Sequence, residues 1–144
     1  MSFKASITMK GAVLLGKHVA CDAFDETRQL RVVTHAHYDH TLGLQQSLKK
    51  SEVVVMTPAT KDLIDVLRGP SVLMTRNVKT LKYKEDFMYK DERLRLYYVD
   101  HILGAAQVLV EDAEGMRIVY TSDFRMPGTP IIETDVLLME ATYG

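Results

Sequence analysis

The stretch "VVTHAHYDHTLG" at residues 32–43 constrains this chain more than any other. It places three histidines and an aspartate, His35, His37, Asp39 and His40, within six positions, directly after an apolar run. The chain has only five histidines. A histidine pair at i and i+2 projects both imidazoles to one side of an extended segment, because side chains alternate with a period of two. The pattern therefore favours a metal site over a packing role for these residues.

Two further candidate ligands follow apolar runs later in the chain. His101 comes after "RLRLYYVD" and Asp123 after "MRIVYTS", and side chains at strand ends can meet at one edge of a sheet. The predicted ligand set is His35, His37 and His101 for one ion, Asp39 and His40 for a second, and Asp123 bridging the two. Imidazole and carboxylate ligands suit Zn²⁺, and also Mn²⁺ or Fe²⁺. Paired divalent ions clamp and hydrolyse esters, notably phosphodiesters.

The composition is that of an ordinary globular domain. A length of 144 residues favours one domain, and 47% apolar residues allow a buried core. A net charge of −1 argues against a protein held to nucleic acid by bulk charge, although a local basic face is compatible with it. The single cysteine fits a reducing compartment, and no run reaches the ~18 apolar residues of a membrane span. We therefore predict a cytoplasmic protein without membrane contact.

The order of predicted elements indicates an α/β fold. Helices are predicted in "TLGLQQSLKK" and in "ATKDLIDVLR", the latter with Thr57 as N-cap, Pro58 as first residue and Gly69 as stop signal. Strands are predicted at Ala12–Leu15, His18–Cys21 and Leu30–Thr34, and in "SEVVVM", "VKTLKY", "RLRLYYVD", "AQVLVED", "MRIVYTS" and "TDVLLME". The second half reads as a meander, with a hairpin turn at Gly115. We expect helices on at least one face of the sheet.

These motifs resemble those of the metallo-β-lactamase superfamily, and within it the β-CASP nucleases, which include RNA 3′-end processing endonucleases, their archaeal relatives and DNA repair nucleases. The matching segments are "VACDAF" with Asp22, "THAHYDH", "DHILGAAQ", "VYTSDF" and "LLMEATYG" with Glu140. The resemblance implies an α/β fold that is the first half of an αββα sandwich, a mixed sheet with helices on its outer face. Residues 1–144 would then be the N-terminal part of a metallo-β-lactamase-like domain, without its β-CASP segment and C-terminal part.

The resemblance also implies roles for individual residues. The ligands would hold two divalent ions, most simply zinc, which generate a nucleophile from water at neutral pH and stabilise charge on a phosphate. Asp22 would support a ligand histidine, Asp39 would act in catalysis, and Glu140 would support a histidine in the part that follows, one suited to protonating the leaving group. A helix beginning near Thr41 would add a positive dipole end beside the phosphate.

Three functions are compatible with these residues. The first is a metal-dependent phosphodiesterase that acts on RNA, the second a hydrolase of a small ester or thioester with the same fold, and the third a non-catalytic metal-binding subunit. As a half-fold the chain would need either a second copy of itself or the missing C-terminal half to cover "DVLLME".

Three other features bear on substrate binding. Arg125, two residues after Asp123, is a candidate phosphate contact. The stretch "VKTLKYKEDFMYKDERLR" interleaves basic and aromatic residues, as in proteins that bind single strands, but its acidic residues favour the solvated face of a hairpin. Ser122 replaces a glycine that is common in the family.

Overall fold

Two β-sheets packed face to face form the body of the protein in a computed structural model that describes residues 4–139. The first sheet holds, in chain and spatial order, β1 (Ala5–Ile7), β2 (Val13–Leu15), β3 (Val19–Cys21), β4 (Leu30–Val32), β5 (Val53–Met56) and β6 (Val78–Thr80). The second has the order β11-β10-β9-β8-β7 and consists of β7 (Asp86–Tyr89), β8 (Glu92–Tyr98), β9 (Ala106–Glu111), β10 (Arg117–Tyr120) and β11 (Val136–Leu138). The helices are α1 (Leu44–Lys50) and α2 (Pro58–Arg68), preceded by a 3₁₀ turn at Tyr38–His40.

Two apolar cores explain why both faces of the first sheet are buried. In β5 the side chains alternate: Val55 packs between the sheets, while Val54 and Met56 pack beneath the helices against Leu48 and Ile64. A strand buried on both faces reads as a continuous apolar run, as "EVVVM" does. The helices therefore lie on the outer face of the first sheet, as predicted.

The parallel part of the first sheet places the histidine motif at one edge. β3, β4, β5 and β6 run parallel to one another, so the carboxyl ends of these strands lie at the same edge. The histidine-rich segment leaves the carboxyl end of β4. Strand β4 is shorter than predicted and ends at Val32 rather than Thr34, because the backbone N–H of Thr34 donates to the carboxylate of Asp22 (2.9 Å).

The helix predictions are confirmed for α2 and corrected for α1. The Thr57 side chain caps α2 by accepting from the backbone N–H of Thr60 (3.2 Å), Pro58 is the first residue, and Gly69 follows the last turn with φ +97°. The predicted helix start near Thr41 is wrong. Helix α1 begins at Leu44, after Gly43 with φ +66°, and the 3₁₀ turn at Tyr38–His40 ends just before Thr41. No helix among residues 4–139 has the length and apolar character of a membrane span.

The second sheet confirms the predicted meander. Strands β7 to β10 pair antiparallel in chain order, and Gly115, with φ +84°, turns the chain between β9 and β10. Strand β11 pairs parallel with β10 at the edge of this sheet. Leu137 and Met139 at this edge are 48% and 56% exposed.

Candidate metal centre

Four side chains from three loops converge at one edge of the two sheets. His35 and His37 follow β4, His101 follows β8, and Asp123 follows β10. Each offers one ligand atom, and these four atoms all lie within 4.8 Å of one another. They come from residues up to 88 positions apart in sequence, so the fold rather than the local motif builds the cluster.

The separations between donor atoms fit a single small cation. Asp123 Oδ2 lies 3.6 Å from His35 Nε2 and 3.6 Å from His101 Nε2, and His101 Nε2 lies 3.2 Å from His37 Nδ1. Four donors about 2.0–2.1 Å from a tetrahedral ion lie roughly 3.3–3.4 Å from one another. Nε2 of His35 is buried and has no hydrogen-bond partner among the described residues. A buried nitrogen lone pair without a hydrogen-bond donor is unfavourable unless a cation binds it.

The remaining predicted ligands lie directly beside this cluster. His40 Nε2 is 3.3 Å from Asp123 Oδ2 and 3.4 Å from Asp39 Oδ2. Asp123 therefore stands between the two predicted sets, as a bridging carboxylate must. The side chain of Asp39 is 77% exposed, whereas that of His40 is only 10% exposed. Asp39 is thus the ligand candidate that faces solvent.

Asp22 is a buried acceptor that several residues around the cluster share. This aspartate is 3% exposed, and its Oδ2 accepts hydrogen bonds from His40 Nδ1 (2.7 Å), Thr34 Oγ1 (2.8 Å) and the Tyr120 hydroxyl (3.1 Å). Because a carboxylate only accepts, the proton of His40 sits on Nδ1 and its Nε2 lone pair faces Asp123 and Asp39. Asp22 therefore orients the imidazole of His40, a predicted ligand, without contacting its Nε2 atom.

A second chain of hydrogen bonds extends from Asp22 to His35. The Thr34 hydroxyl donates its hydrogen to Asp22. Its oxygen therefore accepts a hydrogen bond from the Ser122 hydroxyl, 2.8 Å away. The Nδ1–H of His35 then has two hydroxyl oxygens as acceptors, Thr34 Oγ1 at 3.0 Å and Ser122 Oγ at 3.2 Å. This leaves Nε2 of His35 as the unprotonated, ligand-type nitrogen. Ser122 adopts φ +58°, which accounts for glycine being common at this position, and its side chain adds an acceptor that glycine lacks.

A buried arginine fixes the histidine loop to α1. Arg31 of β4 is 1% exposed and donates to the carbonyl of Leu42 (2.8 Å), the hydroxyl of Ser47 (3.0 Å) and the carbonyl of His40 (3.3 Å). Burial lowers the pKa of its guanidinium to about 10. The loop that carries the ligands is therefore held by side-chain bonds where the regular strand has ended.

The histidines of the cluster differ in basicity according to their surroundings. Burial, with the neighbouring histidines His40, His101 and His37, lowers the pKa of His35 to about 2. Burial also lowers the pKa of His101, against the attraction of Asp123. For His40 burial works in the same direction, but the hydrogen bond to Asp22 and the nearby carboxylates outweigh it, so the pKa of His40 is raised. The cluster thus disfavours protonation of His35, the state that would compete with metal.

The metal-free protein is expected to lose stability in acid. The pKa of His35 is depressed in the folded state, so protons bind the unfolded chain more tightly below its ordinary pKa of about 6.5, and stability falls with pH. His40 contributes in the opposite sense, and its contribution disappears as pH rises through its raised pKa. Urea unfolding at pH 7.5 and pH 5 is expected to show a net loss of stability, smaller than the about 2 kcal/mol that one proton over 1.5 pH units contributes at His35, because His40 offsets part of it. His35→Gln is expected to lose less stability than the wild type over this range, whereas His18→Gln, outside the cluster, is expected to follow the wild type. Equal pH dependence of His35→Gln and the wild type would contradict the assignment.

Several supporting residues were missed by the sequence analysis. Arg31 carried a signal, since a charged residue within the apolar run "LRVV" must be either exposed or satisfied internally. Thr34 and Tyr120 carried none, and Ser122 was noted only as replacing a glycine, because the roles of these residues depend on contacts across 12 to 98 positions. His18, the fifth histidine, lies outside the cluster and binds Asp91 at 2.8 Å. Glu140 and the segment "EATYG" lie outside the described residues.

Comparison with known sequences gives relatives over most of the chain. It is 29% identical to an RNase J-like protein of Methanocaldococcus jannaschii over 95% of this chain and 38% of that protein. It is 27% identical to cleavage and polyadenylation specificity factor subunit 3 of Dictyostelium discoideum, over 80% of this chain and 19% of that protein. Over a shorter stretch, 44% of the chain, it is 44% identical to a protein encoded near lig in Acidianus ambivalens, of which it covers 47%. The chain thus spans less than half the length of these relatives. No family model matches it.

Solved structures identify the fold. A metallo-β-lactamase from Cronobacter sakazakii superposes on 90% of the chain with a TM-score of 0.64 and 17% identity, and 64% of that structure is covered. The Zn²⁺-bound PqqB of Methylobacterium extorquens superposes on 68% of the chain with a TM-score of 0.56 and 16% identity, and 39% of it is covered. Both matches agree with the two packed sheets and outer helices of this protein, and the expected α/β sandwich is confirmed.

Proposed function

Because this chain belongs to the metallo-β-lactamase superfamily, with its sequence relatives in the β-CASP nuclease branch, we propose that it carries the metal centre of a hydrolase that cleaves phosphodiester bonds in RNA. The observation that carries the proposal is Asp123 Oδ2, which lies within 3.6 Å of three different imidazoles. Residues 1–144 would form the N-terminal part of the catalytic domain. The names of the relatives, an RNase J-like protein and a polyadenylation factor subunit, favour RNA over DNA as substrate.

The donor set suits two divalent cations. His35, His37, His101 and Asp123 would hold one, and Asp39 and His40, with Asp123 between, would contribute to a second. Nitrogen and oxygen ligands without sulfur favour zinc, and they also accept manganese or iron. When bound, such ions lower the pKa of water to about 7 and neutralise charge on a phosphate.

The chain's own residues have separable tasks in this reaction. Asp22 and Ser122 hold the two buried imidazoles with their ligand nitrogens unprotonated. Exposed Asp39 lies at the solvent side, where a substrate arrives, and can take part in proton transfer there. Arg125 is exposed, and its positive charge is close enough to contribute to the lowered pKa of His101. That position suits a phosphate contact beside the metal centre.

The wider setting is part of the same proposal. The buried thiol of Cys21, the only cysteine of the sequence, fits a reducing cytoplasm. The exposed edge at Leu137 and Met139 fits coverage by a C-terminal half of the protein or by a second copy of the chain. Glu140 is proposed to support a histidine in that further part, one suited to protonating the leaving group.

One preparation tests the function by two measurements. Elemental analysis of the purified chain is expected to find zinc or another divalent metal, and end-labelled single-stranded RNA is expected to be cleaved in preference to the DNA of the same sequence. Asp39→Ala is expected to abolish cleavage, while Asp91→Ala, an exposed aspartate paired with His18, leaves it intact. Metal bound without cleavage would favour a metal-binding subunit, and cleavage that survives Asp39→Ala would refute the catalytic assignment.

A further inference from the structure

A cavity of about 550 Å³ opens next to the metal centre, on the side of His101. Its walls come from three parts of the fold: the start of α2, the segment after β6, and the end of β8 with its following loop. The lining residues used below are Lys82, Tyr83, Tyr98, Leu103 and Pro58, and we refer to this cavity as the tyrosine pocket. Its volume is that of sites which bind small molecules or single nucleotides.

The walls of the tyrosine pocket are fixed before any ligand binds. The hydroxyl of Tyr83 donates to the carbonyl of Ala105 (2.6 Å), which sets the ring in place. The hydroxyls of Thr57 and Thr60 both donate to the carbonyl of Gly104 (2.7 and 3.0 Å), and this locks the start of α2 to the loop after His101. A ligand would therefore meet a preformed surface.

Tyr98 offers the aromatic face. Its ring meets Tyr83 edge to face, with 6.1 Å between centroids and an interplanar angle of 81°. The residue is 48% exposed although it ends a strand of the second sheet, and neighbouring Leu103 is 70% exposed. An open aromatic face beside an apolar side chain is a surface on which a planar group can stack.

The charge around the tyrosine pair is suited to a phosphate backbone. Lys82 lines the tyrosine pocket, and Lys84 lines a second cavity of about 400 Å³ that shares Tyr83 and Tyr98 with it. Both lysines are exposed, and neither forms an ion pair with another residue of the described part of the chain. Glu85 is nearby, but its carboxylate accepts from the backbone N–H of Lys82 (3.0 Å). Of the interleaved stretch that the sequence assigned to a solvated hairpin, Lys82 and Tyr83 thus line the same cavity as His101.

We propose that the tyrosine pocket binds the base of a nucleotide adjoining the phosphodiester at the metal centre, so that the RNA must be single-stranded there. The inference rests on the proposed function for the identity of the substrate. Stacking on Tyr98 requires an unpaired base, and every base has a face that can stack, so the pocket selects strandedness rather than sequence. Lys82 attracts the adjoining phosphate without pairing to a protein carboxylate.

Binding of an uncleavable strand tests the tyrosine pocket independently of catalysis. The probe is a fluorescein-labelled 2′-O-methyl oligouridylate of about eight nucleotides, compared by fluorescence anisotropy with an abasic strand of equal length. Tyr98→Leu keeps apolar bulk and is expected to weaken binding of the oligouridylate by about 5- to 100-fold, and to bind the abasic strand as the unsubstituted chain does. Tyr98→Phe keeps the ring and is expected to restore binding.

A second variant separates charge from stacking. Lys82→Gln is expected to lower the slope of log affinity against log salt by about 0.7, one phosphate contact on a single strand, while the preference for the base-bearing strand remains. Equal affinity of the unsubstituted chain for both strands, no binding of either, or unchanged binding by Tyr98→Leu would overturn the proposal. Base-dependent binding without RNA cleavage would sustain the tyrosine pocket and refute the nuclease instead.

Discussion

Replacing Asp123 by alanine is expected to weaken zinc binding by more than about 100-fold, beyond the 10- to 100-fold typical of residues that only orient a ligand. Asp123 Oδ2 lies near the Nε2 atoms of His35, His40 and His101. Its loss therefore removes the one carboxylate shared by both predicted ligand sets and leaves only imidazoles around the first. Competition with a chromogenic zinc chelator measures the affinity, and RNA cleavage is expected to disappear with the metal.

The matched control for this substitution is Asp91→Ala. Asp91 also pairs with a histidine, His18, at 2.8 Å, but outside the cluster. The Asp91→Ala variant is expected to bind zinc with unchanged affinity. If both alanine variants retained full affinity, Asp123 would not be a ligand and the bridging arrangement would be wrong.

The second large effect is expected for Asp22→Asn, which combines a loss of stability with a loss of metal affinity. The backbone of Asp22 has φ +67°, a conformation that asparagine tolerates nearly as well as aspartate, so the substitution isolates the side chain from backbone strain. An amide presents two donors where the carboxylate accepts from Thr34, His40 and Tyr120. Leaving these buried donors without their carboxylate acceptor is expected to destabilise the protein by about 3 kcal/mol.

Metal affinity of Asp22→Asn is expected to fall by about 10- to 100-fold, because His40 loses the acceptor that keeps its proton on Nδ1. Chemical denaturation of the metal-free protein measures the first effect and chelator competition the second. Asp25→Asn, at a half-buried carboxylate that accepts from the backbone N–H of Thr27, is the control and is expected to stay within about 0.5 kcal/mol. A stable Asp22→Asn protein with full zinc affinity would show that Asp22 positions nothing.

The sequence predicted the elements whose signals are local. Thr57, Pro58 and Gly69 bound α2 as expected, and Gly115 turns the chain between β9 and β10. The sequence could not show which side chains of β5 face which core. Both faces of that strand are buried, so its residues are uniformly apolar and show no alternation. Strand β1 was not predicted, because its three residues are half-buried or exposed and carry no apolar pattern.

The sequence predicted which side chains converge at the candidate site better than it predicted the residues that support them. Histidine and aspartate spacing after apolar runs named the side chains that the structure brings together. The hydrogen-bond chain from His35 through Ser122 and Thr34 to Asp22 is long-range, and nothing in the local sequence of Ser122 or Thr34 distinguishes them from surface hydroxyls. The tyrosine pocket was not predicted for the same reason. Tyr83 and Tyr98 are brought together by tertiary contacts, including the bond from the backbone N–H of Lys84 to the carbonyl of Leu96 (2.8 Å).

Anomalous diffraction from a zinc-soaked crystal tests the metal centre most directly. Data collected on either side of the zinc absorption edge are expected to show a peak about 2.0–2.2 Å from His35 Nε2 and from the Asp123 carboxylate, with a second peak beside His40 and Asp39. Zinc density confined to other sites, such as His18 and Asp91, with none among these side chains, would contradict the account.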